Sequence, residues 1–229
     1  MGNVLNYHMP KTLLSWSSGK DSAWTLHVLR SQGVRVDGLL TTINQAFDRV
    51  AMHAVRRTLV EQQAAAVDLP LWTVPLPWPC SNAEYERIMS DVCRQAVASG
   101  YDTIAFGDLF LTEVREYRER TLQGTGLTPI FPVWGLPTDA LAAEMIAAGL
   151  KAKITCVDPK ILPAALAGSD FNDAFLKSLP PGTDPCGEKG EFHSFVYNGP
   201  MFRRPVPASV GEVVERDGFV FADLTPAGS

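Results

Sequence analysis

Apolar positions in the first half of the chain fall into two alternating textures. "TLLSW" (Thr12–Trp16) is a short apolar run that leads into small polar residues, the pattern of a buried strand. From Asp21 to Gln32 the apolar residues Ala23, Trp24, Leu26, Val28 and Leu29 recur at helical spacing, and Gly33 ends the segment. "VDGLLTTIN" (Val36–Asn44) reads as a second strand, and His53 to Val67, rich in Ala, Gln and Arg, as a helix. "LWTVPLP" (Leu71–Pro77) is a third strand stopped by prolines. Ser81-Asn82-Ala83-Glu84 has the form of a capping box and opens a helix to Gly100. "DTIAFGDL" (Asp102–Leu109) is apolar enough for a strand buried on both faces. Strands alternating with helices predict a doubly wound parallel α/β sheet with right-handed crossovers.

After about Gly124 the texture changes. "TPIFPVWGLP" is dense in proline and aromatic residues. A helix is predicted over Asp139–Ala148, a strand over Ala152–Asp158 and a helix over Asn172–Leu179. "PPGTDPCGEKGEF" reads as a loop. "HSFVYNGPMF" and "GEVVERDGFVFADL" read as β segments, the second turning at Asp217-Gly218. The expected division is residues 1–124 for the α/β domain and 125–229 for a smaller α+β subdomain.

Composition narrows the classes. With 229 residues, 46% hydrophobic and 20% charged, the chain can bury a core without staples. A net charge of −5 argues against a general nucleic-acid binder. The cysteines Cys80, Cys93, Cys156 and Cys186 form no C-x-x-C pair, which suits a reducing cytoplasm better than a zinc ribbon or a redox pair. "MGNVLNYHMPK" lacks the apolar run of a signal peptide, Asn6 stands where a myristoylation pattern wants Ser or Thr, and no stretch is long enough for a membrane helix.

The chemistry begins at Ser17-Ser18-Gly19-Lys20-Asp21-Ser22, set between a strand and a helix. Backbone N–H groups at a helix N-terminus face an anion there, small residues allow close approach, and Lys20 adds charge. A Walker A loop would need Gly at 14 and Ser or Thr at 21; the chain has Leu14 and Asp21, so cleavage of a γ-phosphate is disfavoured. The segment resembles instead the SGGxDS signature of the PP-loop ATP pyrophosphatases, departing only at Ser18. That resemblance implies an adenine nucleotide alpha hydrolase-like fold and a loop that grips the β- and γ-phosphates while a substrate attacks the α-phosphorus. Asp21 at an anion site calls for a compensating cation: either Mg²⁺ bridges it to phosphate, or it holds the loop.

A second dense stretch, "DPCGEKGEFHSFVYNGPMF" (Asp184–Phe202), sets Glu188, Glu191 and His193 among glycines, where they can serve acid–base work or bind an amine. A solvated turn before an edge strand is the plainer reading. "GEKGEFHSFVYNGPMF", together with "FGDLFLTEVREYRE" (Phe106–Glu119) and "MHAVRRTLVEQQAAAVDLPL" (Met52–Leu71), resembles the diphthine–ammonia ligase family, a branch of the PP-loop enzymes. Members of the diphthamide pathway usually read Glu-Thr where this chain has His193-Ser194, a form similar to a bacterial branch. The resemblance therefore implies ATP and Mg²⁺ as cofactors and amide formation between a small-molecule or protein-borne carboxylate and ammonia or another amine. It leaves the acceptor open, requires no membrane and is compatible with a homodimer.

On that resemblance, Ser17, Ser18, Gly19, Lys20, Asp21, Ser22, His53, Gly107 and Asp108 are the expected nucleotide contacts. Asp21 and Asp108 are the expected Mg²⁺ ligands, and Lys20, Asp21, Glu188, Glu191 and His193 the catalytic candidates. His53 could equally be a cap. Arg115, Arg118 and Arg120 read either as a solvated helix face or as a clamp on an acidic group. Cys186 reads either as an incidental loop cysteine or as the thiol a sulfur-transfer enzyme would use. Trp72, Trp78, Phe131 and Trp134 read as packing residues. Two other functions stay open: an RNA-modifying PP-loop enzyme, favoured if Arg203 and Arg204 formed a basic groove, and a nucleotide-binding module without chemistry.

Overall fold

The structure is a computed structural model that describes residues 10–51 and 53–227. The N-terminal stretch "MGNVLNYHMPK" lies almost entirely outside these residues. The first sheet is six-stranded. Its parallel strands are β1 (Thr12–Ser15), β2 (Val36–Asn44), β4 (Leu71–Leu76), β5 (Thr103–Ala105) and β6 (Thr128–Ile130). They run in the order β4-β2-β1-β5-β6, and the two-residue β3 (Arg49–Val50) pairs antiparallel with β2.

Alternation along β1 divides the core. Leu14 joins the cluster formed with helices α1 (Lys20–Ser31) and α2 (Arg57–Val67), through Ala23, Trp24, Leu26, Leu59 and Val60. Leu13 faces the other way, toward α3 (Asn82–Ala98) and α4 (Thr112–Leu122), through Val92, Cys93, Ala96 and Leu122. Helices thus cover both faces, as a doubly wound α/β fold requires. Ser81 caps α3 by accepting the Glu84 N–H, as the capping box predicts.

The second sheet is antiparallel, in the order β8 (Phe192–Asn198), β7 (Lys151–Val157), β10 (Phe219–Pro226), β9 (Ala208–Arg216). Along β10, Val220, Ala222 and Leu224 are buried while their neighbours are not, so one face packs and the other is open. The β9–β10 turn has Asp217 at φ 53° and Gly218 at φ 80°, both left-handed as the Asp-Gly pair predicts. Helices α5 (Thr138–Ala147) and α6 (Asp173–Ser178) bring Leu141, Met145 and Phe175 into the same core as α1 and α2.

Two expectations change. The strand expected over Asp102–Leu109 stops at Ala105, so Phe106 to Leu109 form an open turn at its carboxyl end. The helix expected from His53 begins at Arg57; Ala54 before it has φ 55°, which a helix cannot continue through. Thr128–Ile130, for which the sequence predicted no element, forms a strand at the sheet edge, where Pro129 need not donate to a neighbour.

Candidate active site

The turn after β1 is held from three sides. Ser18 has φ 72°, the left-handed region where glycine costs least, which gives a physical reason for glycine at that place in the PP-loop pattern. Its carbonyl accepts N–H groups from Val196 of β8 (3.0 Å) and Gln63 Nε2 of α2 (3.0 Å). Gln63 is fully buried; its Oε1 accepts the Trp16 indole N–H (2.8 Å) and its Nε2 also donates to the Val196 carbonyl (2.6 Å). No side chain caps α1 at Gly19, and the Lys20 N–H is met by Ser194 Oγ at 3.2 Å. The Ser17 and Ser22 hydroxyls lie 3.2 Å apart across the turn.

A cavity of about 210 Å³ opens in front of this helix end. It is lined by Ser17, Lys20, Asp21 and Ser22 of the turn, His53, Gly107, Asp108 and Arg118 of the first sheet's loops and helices, and Glu188, His193 and Ser194 of the second half. Nine of the expected site residues therefore meet at one cavity, at the carboxyl ends of parallel strands where open α/β sheets hold ligands. Ser18 and Gly19 form the turn behind it.

Glu191 is placed elsewhere. Its carboxylate accepts the Asp184 N–H (3.2 Å) and the Lys189 N–H (2.9 Å), which ties the 184–191 loop to itself. The cavity wall does not include it.

Gly107 makes the assembly possible. A Cβ there would stand 3.0 Å from the Asp21 carbonyl carbon and 3.1 Å from the Ser22 nitrogen, so only glycine lets β5's loop approach the start of α1. A Cβ at Gly19 would likewise meet His53 Cε1 at 3.1 Å.

Lys20 is 2% exposed, with Nζ 5.2 Å from the centre of the Phe192 ring. Nζ donates to both Asp21 carboxylate oxygens (2.8 and 3.1 Å) and to the Cys186 carbonyl. Burial works against the ammonium, but Asp21 beside it outweighs that and holds its pKa above the ordinary lysine range. Asp108 is engaged as well, accepting from Arg118 Nη2 at 3.0 Å and from Arg118 Nε. Both carboxylates named for Mg²⁺ thus carry a protein cation already. Among the described residues, no group of three His, Cys, Asp or Glu is placed to hold a metal. A metal here would need oxygens from the ligand to complete its shell.

The His53 and His193 rings lie 4.5 Å apart. Burial holds His53 well below the usual histidine pKa, with His193 and Lys20 adding to the effect, and His53 Nδ1 makes no hydrogen bond. Burial, with Lys20 second, brings His193 down to about 4. Both rings are therefore neutral at pH 7. Glu188 accepts the Leu109 N–H at 2.7 Å; burial first, then Asp21 and Asp108, raise its carboxyl to about 7.

The Glu188 shift has a stability consequence. Between its ordinary value of 4.5 and about 7 the folded protein keeps a proton that the unfolded chain has released. Stability from this group is full below about 4.5 and is lost as pH rises through about 7. Glu188→Gln keeps an acceptor for Leu109 without the charge. Its Tm should match the parent's at pH 4.5 and exceed it at pH 8; an equal difference at both pH values would contradict the buried-carboxyl account.

Beyond the wall formed by Ser15, Ser17, Phe106 and Arg118 lies a larger cavity of about 410 Å³. It is mostly apolar, with Leu13, Leu40, Met89, Val92 and Ile104 around it. The buried Thr41 hydroxyl on its wall has no hydrogen-bond partner. Its volume is in the small-ligand range of roughly 300–1,000 Å³.

Several residues take parts the sequence did not give them. Arg118 is the bar between the two cavities, with its guanidinium carbon 4.3 Å from the Phe106 ring centre. Arg115 packs over Phe131 (4.7 Å) and Trp134 (4.9 Å). Trp78 is no core residue: it is 62% exposed and meets Phe47 edge-on at 5.9 Å. The Cys186 thiol is buried and pushed up to about 12 by that burial, so it is not the thiolate a sulfur-transfer step would need. Arg203 pairs with Asp68 at 2.6 Å. Gln63 and Ser194 were not foreseen; the one available signal was a polar residue on the apolar Leu59–Gln63–Val67 stripe of α2.

A serine- and glycine-rich turn at a helix N-terminus, a buried lysine and a cavity at the strand ends are the features of a PP-loop type of α/β protein. Residues 10–129 match the diphthamide synthase N-terminal domain, and the chain belongs to that diphthine–ammonia ligase-like family. It is 25% identical over 233 aligned residues to the diphthine–ammonia ligase of Bos taurus, covering 91% of this chain and 86% of that protein. It is 24% identical over 233 residues to the enzyme of Homo sapiens, with the same coverage. No helix among the described residues is long and apolar enough to cross a membrane, and all four cysteines are free.

Proposed function

We propose that this protein is an ATP-dependent ligase that joins an amine, ammonia in the simplest case, to a carboxylate. The carrying observation is the start of α1, which has no side-chain cap at Gly19 and opens with Lys20 into a cavity that adjoins a larger apolar one. The nucleoside occupies the apolar cavity and the triphosphate the polar one, where the α1 N–H groups, Ser17, Ser22 and Lys20 hold the β- and γ-phosphates. Asp21 and Asp108 would hold magnesium brought in with ATP, and that ion would offset the charge of the phosphates. Residues 1–124 bind the nucleotide and residues 125–229 the acceptor, in the cytoplasm.

A substrate carboxylate oxygen bonds to the α-phosphorus while the bond to the β-phosphate oxygen breaks, and pyrophosphate leaves. The amine lone pair then attacks the acyl carbon of the acyl-adenylate, and AMP leaves with the bonding electrons. The proton lost by the amine passes to Glu188 or to neutral His193. Placement and fixed charge supply most of the acceleration. The acceptor is an acid other than diphthine, given His193-Ser194 at the centre of the site.

The purified protein, given Mg–ATP, ammonium and a panel of carboxylate metabolites and peptides, should form AMP and pyrophosphate in equal amounts with a new amide product. ADP and orthophosphate as products would reject the scheme. Nucleotide binding with no product under any condition would favour a binding module.

A further inference from the structure

The loop that carries His53 is fastened from outside the site. Arg49, in β3, and Arg56, the residue before α2, stand at its two ends and bridge to each other antiparallel. Both reach one carboxylate, Asp223 of β10 in the second sheet. Arg49 Nη1 donates to Asp223 Oδ1 at 2.7 Å, and Arg56 donates to Oδ1 through Nε (3.2 Å) and to Oδ2 through Nη2 (2.5 Å). Arg49 Nη1 also donates to the carbonyl of Ala54, whose φ of 55° is a left-handed conformation unfavourable for a residue with a Cβ. Two guanidinium groups at one loop neck repel unless a charge lies between them. The strained turn at Ala54 relaxes unless something holds it. Asp223 answers both needs.

We propose that Asp223 is a positioning residue: through Arg49 and Arg56 it fixes the turn at Ala54 so that His53 stands over Gly19, opposite His193. The strap couples the two halves. His193 comes from β8 and Asp223 from β10 of one sheet, and together they set where an imidazole of the other half sits. The burial that keeps the Asp223 carboxyl from its lowest value is outweighed by hydrogen bonds from Arg56 and Arg49, so it stays ionised at neutral pH.

The proposal concerns the same cavity as the ligase reading, and its test needs no nucleotide. Histidine side-chain NMR on the full chain reports His53 and His193 directly, with His53→Gln giving the assignment. In Asp223→Asn the His53 signals should move, and its titration should rise from well below the usual histidine value toward that of an ordinary histidine as the ring gains water. Asp223→Glu should restore most of the parental spectrum. Arg56→Gln, which removes one strand of the strap, should give a smaller shift in the same direction and stands in if Asp223→Asn does not fold. His53 signals unchanged in both variants, with only a lower Tm, would overturn the proposal. Binding of Mg–ATP, measured separately, should weaken about tenfold in Asp223→Asn if the ligase reading holds. His53 shifts without any change in nucleotide affinity would uphold the strap and count against the ligase reading alone.

Discussion

Lys20→Met should lower AMP formation by about 10²- to 10³-fold, the loss typical of removing one preorganised charge from a site that stabilises leaving oxygens. Methionine keeps the apolar stem beside the Phe171 and Phe192 rings but removes the ammonium. Asp21 then has no counter-charge, and the cavity presents Asp21, Asp108 and Glu188 to an incoming triphosphate with Arg118 as the remaining cation on its wall. The effect should appear in affinity for Mg–ATP as well as in turnover, since ground-state repulsion rises too. The Cys186 carbonyl also loses its donor, and an unmet buried acceptor costs about 1–3 kcal/mol. The variant should therefore be less stable yet still folded. Isothermal titration with Mg–ATP, pyrophosphate release and a urea curve separate these effects. Parental affinity and rate in a folded Lys20→Met protein would show that the turn only starts a helix.

Gln63→Leu is expected to have the largest effect on stability, about 3–5 kcal/mol. Leucine fills nearly the same space, so no large cavity is left. The loss comes from the Trp16 indole N–H and the Val196 carbonyl, each deprived of its Gln63 partner inside the core. The Ser18 carbonyl keeps the Val196 N–H but loses its second donor. With total stabilities typically near 5–15 kcal/mol, such a change moves the urea midpoint far down while leaving the slope intact. A midpoint within experimental error of the parent would mean that water or a side-chain shift replaces the amide. Loss of nucleotide affinity should accompany the destabilisation, because Gln63 joins α2, the turn and β8 at one point.

The layered architecture could be read from the chain because hydrophobic periodicity is a local property. Thr12–Ser15, Val36–Asn44 and Leu71–Leu76 announce buried strands, and the small residues after Trp16 announce an anion-facing turn. What stayed hidden depends on partners far along the chain. Pro129 discourages a strand until its edge position is known, and Ala54 gives no hint of its left-handed backbone. Glu188 and Glu191 look equivalent, each directly after a glycine, yet one reaches the cavity and the other closes its own loop. Arg118 could not be separated from Arg115 and Arg120 by spacing; its place follows from the Asp108 carboxylate and the Phe106 ring meeting it across a ten-residue gap. The sequence pattern pointed to groups that share one cavity, and tertiary contacts assigned their directions.

The partition of Ser15, Ser17, Phe106 and Arg118 works as a sill between two rooms. One molecule occupying both must fold across it, with its greasy end on one side and its ionic tail on the other.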